Sequence, residues 1–277
     1  MPGYAKDALV ETWWVQERLG DPAIRIVEVD ENPGLYAEAH IPGAIGLDWR
    51  TDLQHQVRRD FLGPDAFAEL FGSHGISSDH MIVLYGDRNN WFAAYAYWYL
   101  KYYGHRNVKL INGPRERWIA EGRPVTTERP SYPVARFRAA HADDWIRAKR
   151  HEVLAALDDG VVLVDVRSPQ EFRGELIVMP GYESEAAQRA GHIPGALSIP
   201  WSRAVQEDGS FKPADELRLL YGSLLDGEAV IAYCRIGERS AHTWFVLHEL
   251  LGRDDVKNYD GSWTEWGNLV NVPIEKG

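Results

Sequence analysis

One cysteine, Cys234, stands in a chain of 277 residues. No intrachain disulfide is possible. A zinc site would have to rest on histidine and carboxylate, and neither HExxH nor another paired-histidine spacing occurs. Positive charge is also short: 30 Lys and Arg against 41 Asp and Glu give a formal net charge of −11. That balance argues against a general nucleic-acid binder, because neutralising phosphates needs surplus cations. It leaves room for a small basic pocket around an anionic substrate. No apolar run approaches the length of a membrane span. The N-terminal stretch carries Asp7, Glu11, Glu17 and two adjacent tryptophans, and has no apolar core with a cleavage pattern. The nucleotide signatures GxxxxGK(S/T) and GxGxxG are missing. A single thiol suits a reducing compartment, so the chain reads as soluble and cytoplasmic, with no membrane or nucleic-acid partner.

What the sequence does contain is a copy of itself. His40-Ile-Pro-Gly-Ala44 recurs as His192-Ile-Pro-Gly-Ala196, and both motifs run on to a tryptophan, Trp49 and Trp201. The run Met81–Tyr85 resembles Ala229–Tyr233, and behind it Gly104, Val108, Gly113 and Trp118 match Gly252, Val256, Gly261 and Trp266 at one constant offset. Ile26–Val29 matches Leu163–Val166 ahead of both. Order is preserved throughout, which describes a duplicated domain of about 125 residues rather than a short-period solenoid. The sequence therefore divides into domains at 1–128 and 147–277. The linker at 129–146 lies in a stretch, from about residue 124 on, that holds Pro124, Pro130 and Pro133 and has little apolar periodicity. The second copy alone carries sixteen extra residues, 174–189, between Phe172 and His192. An insertion of that length is a neutral loop or a lid.

Within each copy, short apolar runs alternate with helical patterns. In the second, 161–166 reads as a buried strand, 213–221 as a helix, 229–233 as another buried strand and 256–259 as a last one. A helix is expected from about Ser240, with Trp244, Leu247 and Leu251 on one apolar face and Gly252 as its stop. Such alternation predicts an α/β fold, an open parallel sheet flanked by helices in each domain.

Cys234 falls directly after the strand at 229–233 and before that helix, in the segment C-R-I-G-E-R-S from Cys234 to Ser240. Sites in parallel sheets form at the carboxyl ends of strands. A loop closing there into a helix can aim several backbone N–H groups at one point. Those amides, the helix N-terminus, Arg235 and Arg239 all favour a thiolate, so the Cys234 pKa is expected below its ordinary value and no separate base is required. A lone cysteine is otherwise most often a buried small hydrophobe. The strand-end position, Gly237 and the two arginines weigh against that. In the first copy Gly86 stands where Cys234 does, and its loop, G-D-R-N-N-W-F, offers no nucleophile. That copy reads as catalytically inactive, a scaffold and pocket wall.

The duplicated HIPGA, Asp165-Val-Arg167, the Cys234 loop and Tyr259-Asp-Gly-Ser-Trp263 together resemble the tandem-domain rhodanese family, the thiosulfate and 3-mercaptopyruvate sulfurtransferases, through nearly the whole chain. The resemblance implies two rhodanese-like α/β domains with the active one second, its site facing the interface. It also implies that Cys234 accepts a sulfane sulfur as a persulfide and passes it to cyanide or another thiophilic acceptor, without metal or organic cofactor. The residues it places around the substrate are Arg235, Ile236, Gly237, Glu238, Arg239, Ser240 and Arg203, with Asp165, Arg167 and Trp263 in support. Mercaptopyruvate enzymes of the family favour C-G-(S/A)-G-V-(T/S) and thiosulfate enzymes C-R-K-G-V-(T/S). Arg235 follows the thiosulfate pattern. Ile236 replaces the lysine, and Glu238 adds an unfavourable charge unless it points away. At the position of a donor-binding arginine in vertebrate-type members this chain has Glu171, so Arg203, Arg173 or Arg189 is expected to supply the cation. Other readings are a 3-mercaptopyruvate donor, a non-catalytic persulfide carrier or protein-binding module, and a protein or thioredoxin-like acceptor. A cysteine phosphatase would need C-x5-R, whereas Cys234 to Arg239 is C-x4-R, too tight for phosphate.

The remaining polar residues have plainer readings. His40 and His192 hold turns through backbone hydrogen bonds. His242, two helical turns beyond Cys234, is a surface or packing residue. Asp165 with Arg167 forms a buried ion pair or a hydrogen-bonded link to the loop. Trp263 is core before it is pocket wall.

Overall fold

The computed structural model describes residues 3–277. Two parallel sheets emerge. The first consists of β1 (Leu9–Val10), β2 (Ile24–Asp30), β3 (Ile45–Asp48), β4 (Met81–Tyr85) and β5 (Val108–Ile111), in the order β1-β5-β4-β2-β3. The second consists of β6 (Val162–Asp165), β7 (Leu197–Ser198), β8 (Val230–Tyr233) and β9 (Val256–Tyr259), in the order β7-β6-β8-β9. Every pairing between these strands is parallel. Helices flank both sheets, so the fold is α/β, as the alternation of apolar runs and helical patterns predicts. Strands bound by helices on both faces read as continuous β-branched runs, and β8 is buried along its whole length.

The duplication extends to side-chain detail. The phenol ending β4, Tyr85, accepts the N–H of Ile41 at 2.9 Å. The phenol ending β8, Tyr233, accepts that of Ile193 at 3.1 Å. His40 and His192 lie against the carbonyls of Tyr36 and Phe172 at 2.7 and 2.8 Å, and each ring stacks on the aromatic residue that supplies that carbonyl.

The helix after β8 begins at Glu238, two residues before the expected start, and runs to Trp244. It continues with a π-type turn, Phe245–Leu250, and closes before Gly252, whose φ of +79° is the left-handed conformation that glycine adopts without strain. One apolar face is expected, yet all residues from Cys234 to Leu247 are buried, His242 and Thr243 included. Among the described residues no helix is long and apolar enough to cross a membrane.

The chain forms two compact units, and their boundaries differ from the sequence division in three ways. Residues 7–143 belong to the first unit, so most of the stretch read as linker is part of it. The reason is apolar: Phe137 is buried and packs its ring 5.1 Å from that of Phe71, while Tyr132 donates to the Gly43 carbonyl at 2.9 Å. Residues 206–211, from the second copy, also belong to the first unit, where the Phe211 N–H reaches Asn112 Oδ1 at 2.9 Å. In return residues 3–6 belong to the second unit, and the Ala5 N–H donates to the Leu250 carbonyl at 2.8 Å.

Candidate functional site

β8 delivers Cys234 to the carboxyl end of the second sheet, and the surrounding chain fixes the loop that follows. Ser262 Oγ accepts the Cys234 N–H at 3.0 Å and donates to the Tyr259 carbonyl at 2.6 Å. The carbonyls of Cys234 and Arg235 accept N–H groups of Trp263 and Thr264, both at 3.0 Å. Asn258 Nδ2 donates to the Gly237 carbonyl at 3.1 Å. With its carbonyls drawn outward, the loop presents N–H groups inward. The Gly237 N–H points at Cys234 Sγ from 3.2 Å, and the hydroxyls of Ser240 and Ser262 lie 3.5 and 4.0 Å from the sulfur. Gly237 has a φ of +105°, and a Cβ there would stand 2.7 Å from Cβ of Asp260, so conformation and space both require glycine.

Two arginines and a carboxylate complete the interior. Glu238 does not point away: it is fully buried, and its Oε2 lies 3.1 Å from Sγ and accepts the Ile236 N–H at 3.2 Å. Its Oε1 stands 3.0 Å from Arg235 Nη2 and 3.4 Å from Arg239 Nε. Arg239 forks onto Glu171 at 3.0 and 3.2 Å. Arg235 Nε is 3.1 Å from Glu185 Oε2, and its guanidinium lies 3.8 Å from the Tyr182 ring centre. Tyr182 and Glu185 belong to the insertion, and the Glu185 carbonyl is tied to Thr264 Oγ1 at 2.8 Å. Tyr182 and Glu185 of the insertion thus pack on Arg235 of the Cys234 loop, and Cys234 itself has no exposed surface.

These contacts correct the expectation of a lowered thiol pKa. Burial pushes the Cys234 thiol up and the Glu238 charge adds to it; Arg239 and the Ser240 contacts pull the other way without prevailing. Burial also opposes the charge on Glu238, but Arg235 and Arg239 outweigh it and hold that carboxyl below its ordinary range. At neutral pH the pair is a thiol donating to a carboxylate. The sequence shows the two arginines; it does not show that the carboxylate between them turns inward.

Of the other residues singled out, Ile236 and Ser240 line the loop and are buried. Asp165 and Arg167 form a buried ion pair at 2.6 Å, with Arg167 also donating to the Gly191 carbonyl and lying over the Trp263 ring at 4.4 Å. Trp263 is part of the apolar core, its indole N–H on the Arg189 carbonyl. Arg203 is exposed on the turn Trp201–Ala204, and no hydrogen bond or ion pair joins it to the Cys234 loop among the described residues. The two other expected cations are occupied elsewhere: Arg173 pairs with Glu175, and Arg189 caps the carbonyls of Trp266, Leu269 and Val272. His242 is buried, and desolvation lowers its pKa to about 3. Sequence reasoning missed Tyr182, Glu185, Asn258 and Ser262, and the role of Glu171 as partner of Arg239. Glu171 had one local signal, the capping box Ser168…Glu171 that opens its helix. Among the described residues no group of three His, Cys, Asp or Glu is placed to hold a metal ion.

A cysteine at the tip of an inner strand of a duplicated parallel-sheet unit, inside a loop of inward amides, defines the class. The chain belongs to the rhodanese-like family: the Rhodanese-like domain matches residues 12–121 and again 149–269. It is a sulfurtransferase of that family. Its relatives include the "Sulfur carrier protein TtuD" of Thermus thermophilus, 56% identical over 99% of both chains. Another is a "Putative thiosulfate sulfurtransferase" of Haloferax volcanii, 56% identical over 99% of this chain and 98% of that one. Among solved structures, SseA from Escherichia coli, described as a 3-mercaptopyruvate sulfotransferase, superposes with a TM-score of 0.76 at 26% identity, over 92% of this chain and 98% of that one. An anaerobic ergothioneine biosynthesis enzyme from Chlorobium limicola shares the fold, with a TM-score of 0.82 at 22% identity over 97% of this chain and 70% of its own.

Proposed function

We propose that Cys234 is the nucleophile of a sulfur relay that takes a sulfane sulfur from thiosulfate, holds it as a persulfide and passes it to cyanide or another thiophilic acceptor. The observation that carries this reading is the surrounding of the sulfur: the Gly237 N–H and the Ser240 hydroxyl lie within reach of Sγ, and the Arg239 charge favours its ionised form. Donors preorganised around a buried sulfur stabilise negative charge that builds there. In the first half-reaction the Cys234 sulfur attacks the outer sulfur of thiosulfate, the donor S–S bond breaks, and sulfite departs with the bonding pair. The thiol proton leaves with it, so the product of this half-reaction is hydrogen sulfite and Glu238 keeps its charge. The loop is left with an anionic persulfide, which the same Gly237 amide and Ser240 hydroxyl hold. In the second half-reaction the acceptor attacks the terminal sulfur and the Cys234 thiolate is released. Arg235 is the cation we assign to the donor. The first domain, with Gly86 at the matching position, is catalytically silent in this scheme.

The name of the Thermus relative favours a second reading, a carrier whose persulfide goes to a protein acceptor, thioredoxin-like or other. A lone reduced cysteine at the centre of either scheme fits a reducing, cytoplasmic setting. Mass spectrometry after exposure to thiosulfate tests the relay. The expected result is a gain of about 32 Da, one sulfur, on the Cys234 peptide, removed by cyanide and abolished in Cys234→Ser. No gain in a folded wild-type protein overturns it. Multiple turnovers with cyanide mark the enzyme; a single equivalent taken up and retained marks the carrier.

A further inference from the structure

We propose that the Glu238 carboxylate is a tethered stand-in for the donor's anionic head, and that a dianionic donor enters the Cys234 loop by displacing it. The proposal rests on the sulfur-transfer reading of Cys234 and concerns how that site admits its donor.

Glu238 opens a helix at the edge of a loop, a position where a glutamate ordinarily projects into water. Here it folds back and is fully buried. Its two oxygens contact four groups: Sγ at 3.1 Å, the Ile236 N–H at 3.2 Å, Arg235 at 3.0 Å and Arg239 at 3.4 Å. That is the set an anion beside the sulfur would use, one main-chain donor and two guanidiniums. The occupant fits only in part. Arg235 is buried, yet none of its three terminal guanidinium nitrogens has an aligned hydrogen bond; its contacts to Glu238 and Glu185 are ion pairs set off the donor axis. A buried guanidinium fork is a planar bidentate donor, and leaving its N–H groups misaligned is costly. An incoming oxyanion can satisfy that fork where the tethered carboxylate does not. Arg239, by contrast, is already forked onto Glu171, so the unused capacity lies on Arg235. Tyr182 and Glu185 close the outer side of Arg235 and keep water off the ion pair. A group attached to its own site competes at high effective concentration and suppresses binding of free anions of the same kind.

Sulfate, an unreactive dianion, reports the competition without any sulfur transfer. Calorimetric titration of folded wild type is expected to show weak binding. Glu238→Gln should bind sulfate at least about tenfold more tightly, as loss of a tethered competitor requires. Glu238→Asp, which keeps the charge but draws it back from Sγ, should fall between the two and carries the test if the Gln variant does not fold. Bound sulfate should also slow alkylation of Cys234 in the variants. Equal sulfate affinity in wild type and variants, or sulfate binding that leaves alkylation unchanged, overturns the proposal. Neither result touches the persulfide assay, and absence of the persulfide would leave the sulfate comparison standing.

Discussion

The Gly86 and Cys234 loops leave equivalent strands and solve one problem, holding main-chain amides inward at the end of a sheet, by different means. In the Cys234 loop a single left-handed residue, Gly237, makes the turn, and the centre holds a sulfur and a carboxylate. In the Gly86 loop three successive residues, Arg88, Asn89 and Asn90, adopt φ values of +48°, +56° and +63°. Its centre is filled by the side-chain amide of Asn90, which accepts the Gly86 N–H at 2.8 Å and donates to the carbonyls of Ile111 and Gly113. A Cβ on Gly86 would lie 2.1 Å from the Val29 carbonyl oxygen, which is backbone and cannot yield. The first loop is therefore not merely missing a cysteine. Its backbone has settled where no side chain fits, and its polar interior is saturated by its own amide.

Attempts to convert one loop into the other should fail in a characteristic way. Gly86→Cys is expected to destabilise the chain by about 3 kcal/mol or more, since overpacking against rigid backbone relaxes poorly. A Gly86→Cys, Cys234→Ser double variant should gain no sulfur on the peptide spanning position 86. Urea unfolding and mass spectrometry check both, and a persulfide there would break the comparison. Within the active loop, Arg235→Ala should lower kcat/KM for thiosulfate by about a hundredfold, or ~2.7 kcal/mol of transition-state stabilisation. The rate of Cys234 alkylation should change far less. Equal losses in both would assign Arg235 to forming the thiolate rather than to the donor.

The two units should also answer acid with opposite sign. Burial opposes the charge on Glu171, but Arg239 prevails and holds its pKa at about 2, against an ordinary 4.5. Its contribution, on the order of 3 kcal/mol, is present in full above pH 4.5 and is lost as pH falls toward 2. In the first unit burial pushes Asp87 up from 3.8 to about 6, so its folded form holds the proton more tightly. The stability it adds is therefore present below pH 3.8 and disappears as pH rises through 6. Stability followed against pH should lose its acid limb in Glu171→Gln and its slope between those two pKa values in Asp87→Asn. The smallest effect is expected from Arg203→Ala. That residue is exposed and unconnected to the loop, so thiosulfate KM should stay within about twofold, as for ordinary surface changes.

The sheets, the duplication and the cysteine's place at a strand end were legible because each leaves a periodic or repeated trace in the chain. Hydrophobic runs mark the strands, and HIPGA with its aligned neighbours marks the copy. Rotamers leave no such trace. Whether Glu238 turns outward to water or inward to Arg235 and Arg239 depends on groups brought together only by folding, and so does the burial that, joined by the Glu238 charge, raises the Cys234 thiol. The insertion was visible as length alone; that Tyr182 and Glu185 close over Arg235 was not. Likewise Ser262 and Asn258, which pin the loop from β9 and the turn after it, carry no motif beyond the Tyr259-Asp-Gly-Ser-Trp263 run in which Ser262 sits.

The exchange of short pieces between the copies has a bearing on dissection. A gene cut between the repeats would leave each product short of a strip that only its sibling encodes: residues 206–211 would be lost to the first and 3–6 to the second. The line between the repeats is thus not the line between the units, and a cut that respects the one divides the other.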